Sequence, residues 1–354
     1  MLQLIIKKSE SGVSYMVILE LTSVVLITLV GIYFFKKYAE LLGLVDIPND
    51  RSMHNENKVS ATGIIFIVSP LVILFIFHIE HILEYYYIYL SIILVLAVGI
   101  WDDLRDVSPK VKFIFIFIAT LLLYINDFAI YSLGTYINYE FFLPVWMVFP
   151  FTFFAMAGYT NALNLMDGLD GLAASLSLVI LSTFFAIGWE HHDKLLMILP
   201  SFYIVTLLAF LVFNWYPATV FMGDSGSLTL GTIIVILTIQ SVQYITPVSV
   251  LFIIAIPLLD TFIVMTRRIQ RHQSPFKADK NHMHHLLYSV KEDIRYTVII
   301  LTMMQIVFSI IGYQVSKSSN LLSLILFSLL FFIYLNLFDQ RLKRRQRQDD
   351  NTKK

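Results

Sequence analysis

The amino-acid sequence predicts an all-α fold: a polytopic transmembrane helical bundle of about eleven spans. Three observations lead to that expectation. Of the 354 residues 58% are hydrophobic and 14% charged, and the mean hydropathy is +0.76. A soluble domain carries about 25% charged residues. The apolar residues are gathered into long runs, and a helix crossing a bilayer needs about 20 of them. The lysines and arginines, which set orientation, crowd into alternate connections between those runs.

Taken in order, the spans are expected at roughly 17–35, 62–80, 86–101, 113–132, 143–163, 172–189, 195–213, 228–245, 247–266, 297–315 and 320–338. The first run lacks a small-residue cleavage site, so it reads as a retained span rather than a signal peptide. The stretch before Met16 fits a helix poorly, which makes Met16 a candidate start. With the C-terminal tail placed in the cytoplasm, eleven crossings put the N-terminus outside. Segments 36–61, 102–112, 267–296 and 339–354 are then internal and hold 21 of the 25 Lys and Arg residues. Only Lys7, Lys8, Lys194 and Lys317 fall outside. A miscounted span would scramble this split, so it supports both the count and the sign. The chain reads as one integral membrane domain, with its motifs in 44–287 and a charged cytoplasmic tail at 339–354. The absence of cysteine excludes disulfides, thiolate nucleophiles and Cys-type zinc or iron–sulfur sites.

Polar chemistry is concentrated in the five inner connections, near 44–63, 101–113, 164–171, 214–227 and 267–287. A transporter places its polar groups near the midplane with access from both sides; a non-catalytic scaffold has no use for acids gathered on one face. Adjacent Asp102 and Asp103 can hold a hard cation, which takes oxygen ligands, although alone they also fit a solvated loop. Asp167 and Asp170 lie in NLMDGLDG, where the glycines allow a tight turn and close ligand approach; a plain Asp-Gly turn is the simpler reading. Asp224 sits in GDSGS at the start of a helix, whose backbone N–H groups suit an anion. His282, His284 and His285 crowd beside Lys277 and Lys280. With no cysteine and many aspartates, phosphate binding is favoured over zinc. Asp260 falls inside the ninth span, seven residues before Arg267 and on the same helix face, and so invites an ion pair. Asp127 reads as an acid at the outer interface.

The motifs VGIWDDLRDVSPKVKF, NALNLMDGLDGLAA, VFMGDSGSLTLG, PLLDTFIVMTRR and DKNHMHH occur in this order between apolar spans. Together they resemble the polyprenyl-phosphate N-acetylhexosamine-1-phosphate transferase superfamily, most closely its bacterial undecaprenyl-phosphate GlcNAc-1-phosphate transferases. The resemblance covers roughly residues 40–290. It implies that Asp102, Asp103 and Asp224 are catalytic, with Asp224 and Asp103 on Mg²⁺ or Mn²⁺. It implies that Asn164, Asp167, Asp170, Lys112, His282, His284 and His285 bind substrate. The implied substrates are a UDP-sugar and undecaprenyl phosphate, with a membrane lipid environment and no nucleic acid. In the first loop Asp46, Pro48, Arg51 and His54 match the pattern, but the usual Pro-Arg-Gly-Gly continuation is replaced, leaving Gly63 alone, and Leu286 stands where an Arg often follows the histidines. The phospho-MurNAc-pentapeptide transferases of the same superfamily are the nearest alternative. A phosphate monoester is mostly dianionic at neutral pH, so positioning and charge neutralisation are expected to matter more than proton removal.

Overall fold

A computed structural model describes residues 12–46, 58–270, 272–273 and 282–352. All eleven apolar stretches are helical, but they are not equal. Helices α1 (Gly12–Leu42), α4 (Tyr86–Arg105), α7 (Leu172–His191), α8 (Lys194–Asn214), α9 (Gly223–Ser241), α13 (Ile294–Val315) and α14 (Asn320–Thr352) supply seven segments long and apolar enough to cross a membrane among the described residues. The count becomes eight if α10 (Pro247–Ile253) and α11 (Ala255–Gln270), bent by 91° at their junction, form one span.

The other expected spans depart for local reasons. The stretch at 62–80 shortens to α2 (Gly63–Phe77), because His78 leaves helical geometry at φ −133° before the short α3 (Ile79–Glu84). The stretch at 113–132 shortens to α5 (Pro109–Tyr124). Asp127, at φ +56°, ends the helical path, and the chain enters a hairpin of β3 (Ser132–Tyr136) and β4 (Tyr139–Phe142). Its two-residue turn, Ile137 and Asn138, has positive φ at both positions, the arrangement that matches strand twist. Helix α6 (Val145–Met166) is long enough, but its second half, AGYTNALN, is too polar for it to count with the seven. A second small hairpin pairs β1 (Val45–Asp46) with β2 (Lys58–Val59). The all-α expectation therefore gains two hairpins.

The chain divides into two compact units. The first comprises residues up to Tyr131 and Leu143–Tyr244; the second comprises Ser132–Phe142 and Ile245 onward. In the first, α9 is the central helix, buried on all sides from Ser225 to Leu237. Helices α4, α6, α2 and α7 pack around it. Small residues make this possible: a Cβ on Gly63 would lie 2.1 Å from the backbone nitrogen of Gly226, so α2 and α9 touch backbone to backbone. The hydroxyls of Thr229 and Thr232 return their hydrogen bonds to the carbonyls of Ser225 and Leu228, so these two buried donors are satisfied within the helix. In the second unit α13 packs against α10, α11 and α12 (Met283–Lys291). Asn320 at the start of α14 donates to Thr135 O of the β3–β4 hairpin at 3.2 Å. Exposed Leu329, Phe332 and Ile333 give α14 the apolar surface that lipid requires.

Candidate active site

The carboxylates gather at one end of the first unit. Helix α4 ends in WDDLR, and Asp106 leaves it in left-handed geometry at φ 44°. Asp102 Oδ1 accepts the Val107 N–H at 2.8 Å and so fixes the chain as it exits. Pro109 then opens α5 at a position where its missing N–H costs nothing. This places Lys112 within the first turn. Its ammonium reaches back to Asp102 Oδ2 at 2.6 Å and across to Asp224 Oδ2 at 2.5 Å. Asp224 lies in the first turn of α9, and Asn164 Nδ2, near the end of α6, donates to Asp224 Oδ1 at 3.0 Å and to Ser227 Oγ at 2.8 Å.

Asp103 changes the reading of the GDSGS turn. Its Oδ1 accepts the Asp224 N–H at 2.7 Å and its Oδ2 accepts the Ser225 N–H at 3.0 Å. The helix start does bind an anion, as its exposed amides suggest, but that anion is the protein's own Asp103. These two amides are therefore not open to a substrate phosphate. Gly223, at φ +71°, permits the close approach, since a Cβ there would sit 2.8 Å from Asp103 Oδ1.

Three backbone connections lock the surrounding loops. Residues 59–63 run beside 220–222, with Phe221 N–H donating to Val59 O at 2.7 Å and Gly63 N–H to Met222 O at 2.9 Å. Asp170 Oδ2 accepts the Ala218 N–H at 2.8 Å. Buried Asn214 accepts the Gly171 N–H at 3.1 Å and donates to Val220 O at 2.9 Å, tying the DGLDG turn to the strand-like approach to Asp224. Sequence reasoning missed Asn214; an amide at the end of an apolar span was the available signal. Asp167, half-buried at the end of α6, accepts no hydrogen bond among the described residues. Burial, and after it the Asp224, Asp103 and Asp170 carboxylates, push its carboxyl well above the usual carboxylate range.

The structure thus brings together Asp102, Asp103, Lys112, Asn164, Asp167, Asp170 and Asp224. Among the described residues these five acids gather around Lys112, which pairs with Asp102 and Asp224, and a divalent cation would offset their negative charge. The donors are hard oxygens, which suits Mg²⁺ or Mn²⁺, and Asp224 and Asp103 belong to this set. Among the described residues no group of three or more His, Asp or Glu side chains is already assembled as a metal cage. The fit is one of charge and donor type, completed by substrate oxygens.

The histidines belong to the second unit. His282 is the N-cap residue of α12, and its Nδ1–H donates to Asp260 Oδ2 at 2.7 Å, while the Met283 N–H donates to Asp260 Oδ1 at 2.6 Å. Asp260, 2% exposed, is thus ion-paired with His282. The rings of His282 and His284 stack at 5.8 Å and 12°, and His284 meets His285 at 4.2 Å. Burial, and then the His285 ring, hold His284 down at about 3, so its imidazole is neutral. Lys277, Lys280, Pro48, Arg51 and His54 lie outside the described residues, and Asp46 is described only as backbone.

Residues 85–242 match the family model described as Glycosyl transferase family 4. The chain is 32% identical over 310 residues to a probable undecaprenyl-phosphate N-acetylglucosaminyl 1-phosphate transferase of Bacillus subtilis (strain 168), covering 85% of each. It is 30% identical over 358 residues to an undecaprenyl-phosphate alpha-N-acetylglucosaminyl 1-phosphate transferase of Escherichia coli (strain K12), covering 93% of this chain and 95% of the other. The corresponding protein of Salmonella typhimurium (strain LT2) is 31% identical over 360 residues, covering 94% and 96%.

Proposed function

The chain belongs to glycosyl transferase family 4, and from that premise we propose that it transfers a sugar-1-phosphate from a UDP-sugar to undecaprenyl phosphate and releases UMP. GlcNAc-1-phosphate is the default group, in keeping with the names of its relatives. The product would initiate a lipid-linked cell-envelope glycan such as O-antigen, common antigen or wall teichoic acid. The observation that carries this reading is the acid cluster around Lys112 at one end of a membrane-embedded bundle. An enzyme with one soluble and one lipid-borne substrate needs its chemistry at such an interface, whereas a transporter needs it at mid-span.

The reaction joins two anions. An oxygen of the lipid phosphate attacks the sugar-bearing phosphorus, the bond from that phosphorus to UMP breaks, and a lipid-linked diphospho-sugar remains. Unit like charges 4 Å apart repel by about 4 kcal/mol at an effective dielectric near 20, so neutralisation and alignment dominate. Asp103 fixes the first turn of α9, Asn164 and Lys112 hold the Asp224 carboxylate from either side, and Asp102 anchors Lys112. A divalent cation held by Asp224 and Asp103 would neutralise the pyrophosphate charge. His282, His284 and His285 are the proposed contacts for substrate phosphate.

The same geometry supports one orientation. The starts of α2, α5 and α9 and the ends of α4, α6 and α8 meet at the site. If each of these helices crosses the bilayer, an alternating path puts all six ends on one side. The positions of Lys and Arg favour the cytoplasm for that side. With α2, α5, α6 and the α10–α11 pair counted as crossings, the chain passes eleven times, with its N-terminus outside. The test is incubation of purified protein with undecaprenyl phosphate and a panel of UDP-N-acetylhexosamines, with lipid-linked product identified by sugar. Product from at least one sugar is expected; none from any, with intact protein, would overturn the proposal.

A further inference from the structure

The second unit contains a helix break whose cause and repair are both visible. In a continuous helix the N–H of residue 257 would bond the carbonyl of Ile253. Residue 257 is Pro257, which has no N–H and whose ring collides with that carbonyl. The path bends by 91° between α10 and α11. Two backbone groups lose their helical partners inside the protein: Ile253 O and Ile256 N–H. A single side chain serves both. Gln305 Nε2 on α13 donates to Ile253 O at 2.7 Å, and its Oε1 accepts from Ile256 N–H at 3.1 Å. Its remaining donor is directed to Ser309 Oγ at 3.0 Å. Gln305 is 0% exposed, so no water is at hand to replace it.

The amide is matched to its task, because it donates and accepts on one planar group. A buried carbonyl and N–H without partners are costly, so Gln305 stabilises the bent path over alternatives that would re-form helical bonds. Three residues beyond Pro257 lies Asp260, which holds His282 and the first amide of α12. The direction in which α11 leaves the break therefore sets where that carboxylate, and the histidine it grips, are presented.

We propose that Gln305 is a positioning residue for the transfer reaction: by bridging Ile253 O and Ile256 N–H it fixes the α10–α11 bend and, through Asp260, the placement of His282. This rests on the reading that the histidines bind substrate phosphate.

The chain has no cysteine, so spin labels can be placed on introduced Phe262→Cys and Ile310→Cys, both exposed, on α11 and α13. Gln305→Leu should shift or broaden the label distance. It should also raise KM for the UDP-sugar by about 10- to 100-fold, the usual scale for a small misplacement of binding groups. Asp260→Asn should raise KM similarly, and the double variant should be no worse than the poorer single one, as coupled residues require. Gln305→Glu supplies a check on folding. Its protonated carboxyl can donate and accept, whereas its carboxylate only accepts, so its KM should approach the native value as pH falls while that of Gln305→Leu does not. An unchanged label distance in Gln305→Leu would overturn the proposal, as would an altered distance with native KM, or losses that add with Asp260→Asn. A native KM in His282→Ala alongside a raised KM and altered distance in Gln305→Leu would instead refute the histidine reading and leave the role of Gln305 at the bend standing.

Discussion

Replacing Lys112 with Met removes the ammonium that joins Asp102 to Asp224 while keeping the length of the side chain. The Lys112 Nζ lies 2.6 Å from one carboxylate oxygen and 2.5 Å from the other, so these two oxygens are at most about 5 Å apart. All three side chains are less than a third exposed, and screening by water is limited. At an effective dielectric near 20, two unit charges at that separation repel by about 3 kcal/mol. Lys112→Met should therefore lower the apparent Tm of the purified, metal-free protein by the equivalent of that repulsion. Added Mg²⁺ should raise the Tm of the variant more than that of the native protein, because a bound cation takes over neutralisation that Lys112 otherwise performs. The assay is thermal unfolding in detergent with excess chelator and then with increasing MgCl2. A native Tm in chelator, or an equal Mg²⁺ response in the two proteins, would refute the claim that Lys112 balances the acid cluster.

Asp224→Asn retains an acceptor for Asn164 but loses its charge. It should reach the membrane normally and lose nearly all activity, and native activity should require Mg²⁺ or Mn²⁺ and vanish in chelator. Asn214→Leu strands the Gly171 N–H and the Val220 carbonyl; each stranded group costs about 1–3 kcal/mol, so Tm and activity should fall together. His284 has a folded-state value of about 3 against 6.5 when unfolded. The unfolded chain takes up the proton first, so the stability His284 supplies is complete above about pH 6.5 and is lost as pH falls from there towards 3. His284→Gln should flatten the pH dependence of Tm between 7 and 5 by up to about 1.4 kcal/mol per pH unit. A cysteine at Ser108 should resist an impermeant thiol reagent in intact cells, and labelling from outside would reverse the proposed orientation.

The helices were legible because each long apolar run has one stable way to satisfy its backbone in lipid. Their ends and bends were not. The fourth span was expected to run to 132, but α5 ends at Tyr124 and the chain turns through Asn126 and Asp127 towards the β3–β4 hairpin. Pro257 announces a break, but the 91° bend depends on Gln305, 48 positions later. The acid and histidine motifs were legible as residue types. Their division of labour was not. Adjacent Asp102 and Asp103 look alike in sequence, yet helical geometry turns one towards Lys112 and the other onto the first turn of α9. Asp260 was expected to form an ion pair, and the chain folds back to present His282 to it. Pairings set by tertiary contact have no local signature.

The central claim concerns which bond breaks. UDP-GlcNAc labelled with ³²P at the sugar-bearing phosphate, incubated with undecaprenyl phosphate and the purified protein, distinguishes phosphoryl transfer from simple glycosyl transfer. The account predicts that the label moves into the lipid fraction with one UMP released per labelled lipid, and that Asp224→Asn abolishes both. Sugar appearing on the lipid while the ³²P stays in UDP would contradict it.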